Sequence, residues 1–231
     1  MNSKYTTLNL KDQLHVDEKL EKIWMEYYNE EPNPRRAVFQ REILKNSITF
    51  LSLNPSFNQK KNKEESKGYS PIEPYPLIDW NASTPVNPFY KKFYNLGEVI
   101  KPWTAIELLY IRETEQKQLE SKFASKYATE KDKVFVINQM KLTFEILREI
   151  NPKIVVVSNA LAVKLIDKYL TELNLKQEFP NEENGWIYRI NGIPFITLES
   201  RFLGSRIHSV NIVRRKNLAE EIMRVLEISN K

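Results

Sequence analysis

The chain has 231 residues, 41% hydrophobic and 28% charged, the balance of one soluble medium-sized domain with enough length for a sizeable core. It has no cysteine and only two histidines, His15 and His208, which excludes disulfides, thiolate zinc sites, iron–sulfur clusters and Cys nucleophiles. Its net charge of +5 is a mild bias toward polyanionic partners.

No apolar run approaches the roughly 20 residues of a membrane helix. The first five residues lack the apolar core of a signal peptide, so the expected location is cytoplasmic, away from any membrane. Residues 17–28 carry Leu20, Ile23, Trp24 and Tyr27 on one helical face. Pro32 and Pro34 break that helix, and residues 35–44 are read as a second short one. Residues 1–45 would then be a helical N-terminal extension packed on the domain.

Residues 47–53 read as a buried strand, because the β-formers Ile48, Thr49 and Phe50 cluster among apolar and small neighbours. Pro55 ends the run and biases Asn54 toward an extended backbone. A rigid amide at the carboxyl end of a core strand can hold a water or a polar ligand, since open α/β sheets bind ligands there. An Asn-Pro turn with no further role fits the same residues. Residues 57–89 show no clear element. They interleave Lys60, Lys61, Lys63 and Lys67 with Tyr69, Tyr75, Trp80 and Phe89, a mixture suited to phosphate contact and base stacking. A solvated loop pinned to the core by its aromatics fits equally.

A helix is predicted over 89–100 and a second strand over 104–111. A long helix over 131–150 has Val134, Ile137, Met140, Phe144, Leu147 and Ile150 on one stripe. Asn151-Pro152 closes it. The unbroken β-branched run at 154–158 suits a parallel strand covered on both faces. Ser158 or Asn159 would cap a helix over 160–170. Segments 186–190 and 193–198 flank Asn191-Gly192, a strong hairpin signal, and 195–199 would be the fourth parallel strand. A last helix spans 210–228. Alternating strands and helices predict one α/β domain over 1–231, a three-layer α/β/α sandwich around a mostly parallel central sheet of about four strands.

The phosphate cradles Gly-x-x-x-x-Gly-Lys and Gly-x-Gly-x-x-Gly are absent, as is the Gly-x-Ser-x-Gly elbow. No metal-ligand spacing stands out, and no cofactor is implied. After the last strand, Glu199-Ser200-Arg201-Phe202-Leu203-Gly204-Ser205-Arg206 sets two apolar side chains between two arginines. An apolar wedge flanked by phosphate-binding cations is what base extrusion needs. A structural loop with Phe202 and Leu203 tucked under the last helix is the plainer alternative.

Leu51-Ser52-Leu53-Asn54-Pro55-Ser56 resembles the first motif of the uracil-DNA glycosylase superfamily, nearest the Gly-Ile-Asn-Pro-Gly type of its thymine and mismatch-specific branch. The run from Asn151 to Ala162 is similar to the family's third strand and following helix, and Leu198 to Arg206 occupies the place of its second motif. There the chain departs from the pattern, with Glu199-Ser200-Arg201 where the family often has His-Pro-Ser or Asn-Pro-Ser.

The resemblance implies that Asn54 holds the attacking water. It implies that Pro55, Ser56 and Ser200 shape the base pocket, with Phe57 or Tyr69 stacking on the flipped base. Phe202 or Leu203 would fill the vacated stack, and Arg201 and Arg206 would contact phosphates, joined by Lys60, Lys61 and Lys63. The implied activity is a monofunctional DNA glycosylase for base-excision repair. It would hydrolyse the N-glycosidic bond of a damaged or mismatched base in single- or double-stranded DNA. Two other readings stay open: a non-catalytic nucleic-acid-binding module on the same fold, and a small-molecule hydrolase acting on nucleosides.

Overall fold

A computed structural model describes residues 6–28, 42–54, 101–113, 115–178, 188–198, 212–213 and 217–229. The chain opens with strand β1 (Thr7–Asn9), helix α1 (Leu10–Leu14) and helix α2 (Val16–Tyr28). The Asn9 side chain caps α1 by accepting from the backbone N–H groups of Lys11 and Asp12. Along α2, Val16, Leu20 and Trp24 are buried and Ile23 and Tyr27 half-buried, the stripe that the spacing predicts.

Strand β2 (Glu42–Leu44) pairs antiparallel with β1. These residues were expected to close a helix, so the N-terminal region is not purely helical. Ile43 and Leu44 are fully buried, and their burial and pairing outweigh local helical preference.

Four parallel strands form the heart of the sheet: β3 (Ile48–Ser52), β4 (Trp103–Glu107), β5 (Ile154–Val157) and β8 (Ile193–Leu198). They lie in the order β4-β3-β5-β8. Three more strands join them. β7 (Tyr188–Ile190) and β9 (Ile212–Val213) share the outer side of β8, antiparallel and parallel respectively, and β6 (Gln177–Glu178) pairs antiparallel with β7. The described sheet therefore has seven strands, wider than the four or so expected, and the fold is mixed α/β with a mostly parallel sheet. The β7–β8 turn is the expected hairpin, with positive φ at both Asn191 (49°) and Gly192 (80°), as a type I′ turn needs.

Between β4 and β5 come a short helix, α3 (Gln116–Leu119), a π-helical turn (Glu120–Ala124) and the long helix α4 (Glu130–Ile150). Thr129 and Asp132 form a capping box at the start of α4, and Asn151 ends it in the left-handed region at φ 49°. Of the predicted stripe, Met140, Leu147 and Ile150 are buried and Ile137 and Phe144 pack half-buried against the core, but the buried face is wider and shifted at its start. Val134 is 52% exposed, while Phe135, Val136, Gln139 and Thr143 are buried. The cause is a second partner: α4 packs on α2 as well as on the sheet. Phe135 stacks on Tyr27 at 4.0 Å between ring centroids and meets Trp24 edge-on at 5.2 Å.

Asn159 caps α5 (Ala160–Lys168). The last helix, α6 (Leu218–Ser229), starts later than predicted. The β-branched pair Ile212-Val213 extends alongside Thr197 and Leu198 instead of joining that helix.

Strand alternation divides the core between the two faces of the sheet. Leu51, Ile106, Val155, Val157 and Phe195 pack with α2, α4 and α5. Ile48, Phe50, Trp103, Ala105, Ile154, Val156 and Ile196 pack with Leu218, Ile222 and Val225 of α6. The carboxyl ends of β3, β4 and β5 thus emerge together between two apolar layers.

Candidate functional site

Parallel order β4-β3-β5-β8 reads 2-1-3-4 in chain sequence, so the chain passes from β3 to β4 on one side and then crosses to β5 on the other, which puts the reversal of strand order between β3 and β5. Open sheets of this kind bind ligands outside the carboxyl ends of their strands at such a switch point. Asn54 lies there, two residues past the end of β3.

The segment after β4 builds the wall beside it. β4 stops at Glu107, short of the predicted 111, although the neighbours keep their spacing briefly. The N–H groups of Leu108 and Leu109 donate to the carbonyls of Ser52 and Leu53 at 2.9 and 2.8 Å. The ladder then breaks because the Tyr110 N–H donates to the Gln139 side chain of α4 at 2.8 Å instead. Thr143, one helical turn on, donates toward the carbonyls of Glu107 (3.1 Å) and Leu108 (3.0 Å). These buried polar residues on an otherwise apolar helix face are what fix the turn after β4. Burial pushes the Tyr110 phenol well above its ordinary range.

Asn54 is half-buried, and its side-chain amide bridges to that wall. Its Nδ2 donates to the carbonyl of Ile111 at 2.9 Å and to that of Glu113 at 2.8 Å. Both amide hydrogens are thereby used and the plane of the amide is set. With both hydrogens engaged, the other polar atom of this side chain is Oδ1, which acts only as an acceptor. On the other flank, Ser158 donates to the Leu51 carbonyl at 3.3 Å, and Asn159 Oδ1 accepts from the N–H groups of Leu161 (2.8 Å) and Ala162 (3.2 Å).

Of the residues assigned from sequence, Asn54 is placed at the strand end as expected. Pro55, Ser56, Phe57, Lys60, Lys61, Lys63, Tyr69, Ser200, Arg201, Phe202, Leu203 and Arg206 lie outside the described residues. The geometry adds one group that the sequence reading passed over. Glu107 closes β4 with 6% exposure, and burial pushes its carboxyl up to about 8 from the ordinary 4.5, against a smaller lowering by its own backbone N–H. An acidic residue inside the apolar run Thr104-Ala105-Ile106-Glu107-Leu108-Leu109 was the available signal.

Among the described residues no three His, Asp or Glu side chains gather as a metal site would require, and no helix is long and apolar enough to cross a membrane. No protein-family model and no curated protein sequence matches the chain.

Proposed function

We propose that this protein is a cofactor-free DNA glycosylase of the uracil-DNA glycosylase type, with its reaction centre at the carboxyl edge of β3. The observation that carries the reading is the position and fixed orientation of Asn54: just past the first strand of a 2-1-3-4 parallel order, its amide hydrogens held by Ile111 and Glu113. The Leu51–Ser56 motif supplies the family resemblance, and apolar clusters on both faces of the sheet support a three-layer α/β/α arrangement.

In the proposed reaction the bond between C1′ of the sugar and the base nitrogen breaks, and its electron pair leaves with the base. Water adds to C1′ of the oxocarbenium-like sugar and loses a proton, giving an abasic site and free base. Asn54 Oδ1 accepts a hydrogen bond from that water and directs its lone pair at C1′. As an amide it is too weak a base to take the proton outright, so it acts by position. The net charge of +5 suits a DNA partner.

The test is incubation with single-stranded and duplex oligonucleotides carrying uracil, hypoxanthine, xanthine or mismatched thymine, followed by alkali. Strand cleavage at the modified position supports the reading. Intact strands throughout, with salt-dependent binding retained, would transfer the protein to the non-catalytic binding class.

A further inference from the structure

The last rung of the β3–β4 ladder pairs Ser52 with Glu107. Adjacent strands lie about 4.8 Å apart, so the two residues stand side by side on one face. Strand alternation identifies that face. Ser52 shares parity with Ile48 and Phe50, and Glu107 with Trp103 and Ala105, all four packed in the cluster with α6. Ser158, following β5, has the parity of Ile154 and Val156 in that cluster. A polar row therefore tops the apolar layer at the carboxyl edge of the sheet.

Within the row, Ser158 spends its hydroxyl on the Leu51 carbonyl. The other two side chains are differently placed. Ser52 and Glu107 are each 6% exposed. Among the described residues Ser52 Oγ has no hydrogen-bond partner. The Glu107 carboxyl accepts from its own backbone N–H, and its charge also acts on the buried Tyr110 phenol. Buried polar groups in native structures are nearly always satisfied, so the unpartnered Ser52 hydroxyl beside a buried carboxyl, at a ligand-binding edge, marks a place where something else can complete the hydrogen bonding.

We propose that Glu107 and Ser52 form a recognition pair for one edge of a heterocyclic base, the carboxyl O–H donating to an acceptor on the ring and the carboxyl C=O accepting from a neighbouring N–H. Ser52 supplies a third hydrogen-bonding position beside them. A buried carboxyl without a counter-ion is held neutral, and a neutral carboxyl is one donor beside one acceptor. That complements an amide-like or amidine-like edge, and it mismatches an edge from which the N–H has been removed. This inference rests on reading the carboxyl edge as a base-binding site, and it assigns that site its specificity residue.

Calorimetric titration of the full chain with 1-methyluracil, 1-methylcytosine and 1,3-dimethyluracil tests it. The first two have a donor beside an acceptor, and the third has no donor. The expected result is binding of the first two with dimethyluracil weaker by about tenfold or more, because a site built around a hydrogen bond rejects an analogue that lacks it. Glu107→Gln, which keeps one donor and one acceptor, retains binding, whereas Glu107→Leu loses about tenfold or more. Equal affinity for all three bases, no binding of any of them, or unchanged binding in Glu107→Leu overturns the proposal. The comparison of the three bases uses the wild-type chain and so stands even if the leucine variant fails to fold. Base binding of the expected pattern without oligonucleotide cleavage keeps this inference and removes the glycosylase. Cleavage at full rate in Glu107→Leu removes this inference and keeps the glycosylase.

Discussion

Asn54 and Ile111, 57 residues apart in sequence, are joined by a hydrogen bond of 2.9 Å from the Asn54 amide to the Ile111 carbonyl. With the companion bond to Glu113, it ties the end of the first strand to the segment that leaves the second. Asn54→Ala therefore removes two hydrogen bonds from a half-buried position. The expected cost is about 1–3 kcal/mol in chemical denaturation. Asn54→Asp should cost at least as much, because an ionised carboxylate cannot donate to two carbonyls. A stability loss near zero for both variants would mean that this bridge does not hold the wall.

Glu107 gives a pH dependence of definite sign. Burial raises its carboxyl to about 8 in the folded chain, against 4.5 ordinarily. The folded state thus binds more protons than the unfolded state between those values. The stabilisation is complete below about 4.5 and is lost as pH rises toward 8, with a limiting slope of about 1.4 kcal/mol per pH unit. Denaturation midpoints of wild type and Glu107→Gln, measured from pH 5 to pH 9, should diverge as pH rises, with the glutamine variant the flatter. Parallel curves would show that Glu107 does not retain its proton.

The start of α4 depends on its cap. Thr129 accepts from the Asp132 N–H while the Asp132 side chain accepts from the Thr129 N–H. Thr129→Ala should lower stability by about 0.5–2 kcal/mol, read by thermal or chemical melting.

Gly192 tests the β7–β8 turn. Its φ is 80°, and a Cβ built there meets nothing within 4 Å. The penalty for Gly192→Ala is then purely conformational, about 1 kcal/mol. A much larger loss would mean that the turn is packed against something.

Elements whose local pattern agrees with their packing were legible from the residues alone. β3, β5, α2, α5 and the Asn191-Gly192 hairpin are of this kind. In each, periodicity, caps and turn residues point the same way. The exceptions depend on partners distant in sequence. Residues 42–44 join a strand because β1 lies beside them, and the buried face of α4 widens to take in Phe135 because α2 brings Trp24 and Tyr27 against it. β4 ends early because Gln139 and Thr143, on a helix 30 residues onward, compete for its backbone. At the site, the Asn-Pro step made Asn54 conspicuous. Glu107 was not, since its significance comes from the burial and the register that place it beside Ser52.

Single-turnover base release from a modified oligonucleotide, compared between wild type and Asn54→Ala under conditions where both are folded, tests the central claim most directly. The account predicts measurable release by the wild type and a fall of about 10²–10³ in the variant, the usual effect of removing one positioned polar group from a reaction centre. That is far beyond what the loss of stability alone would produce in a folded population. Wild-type release that survives Asn54→Ala at full rate, or no release from any modified base, would contradict it.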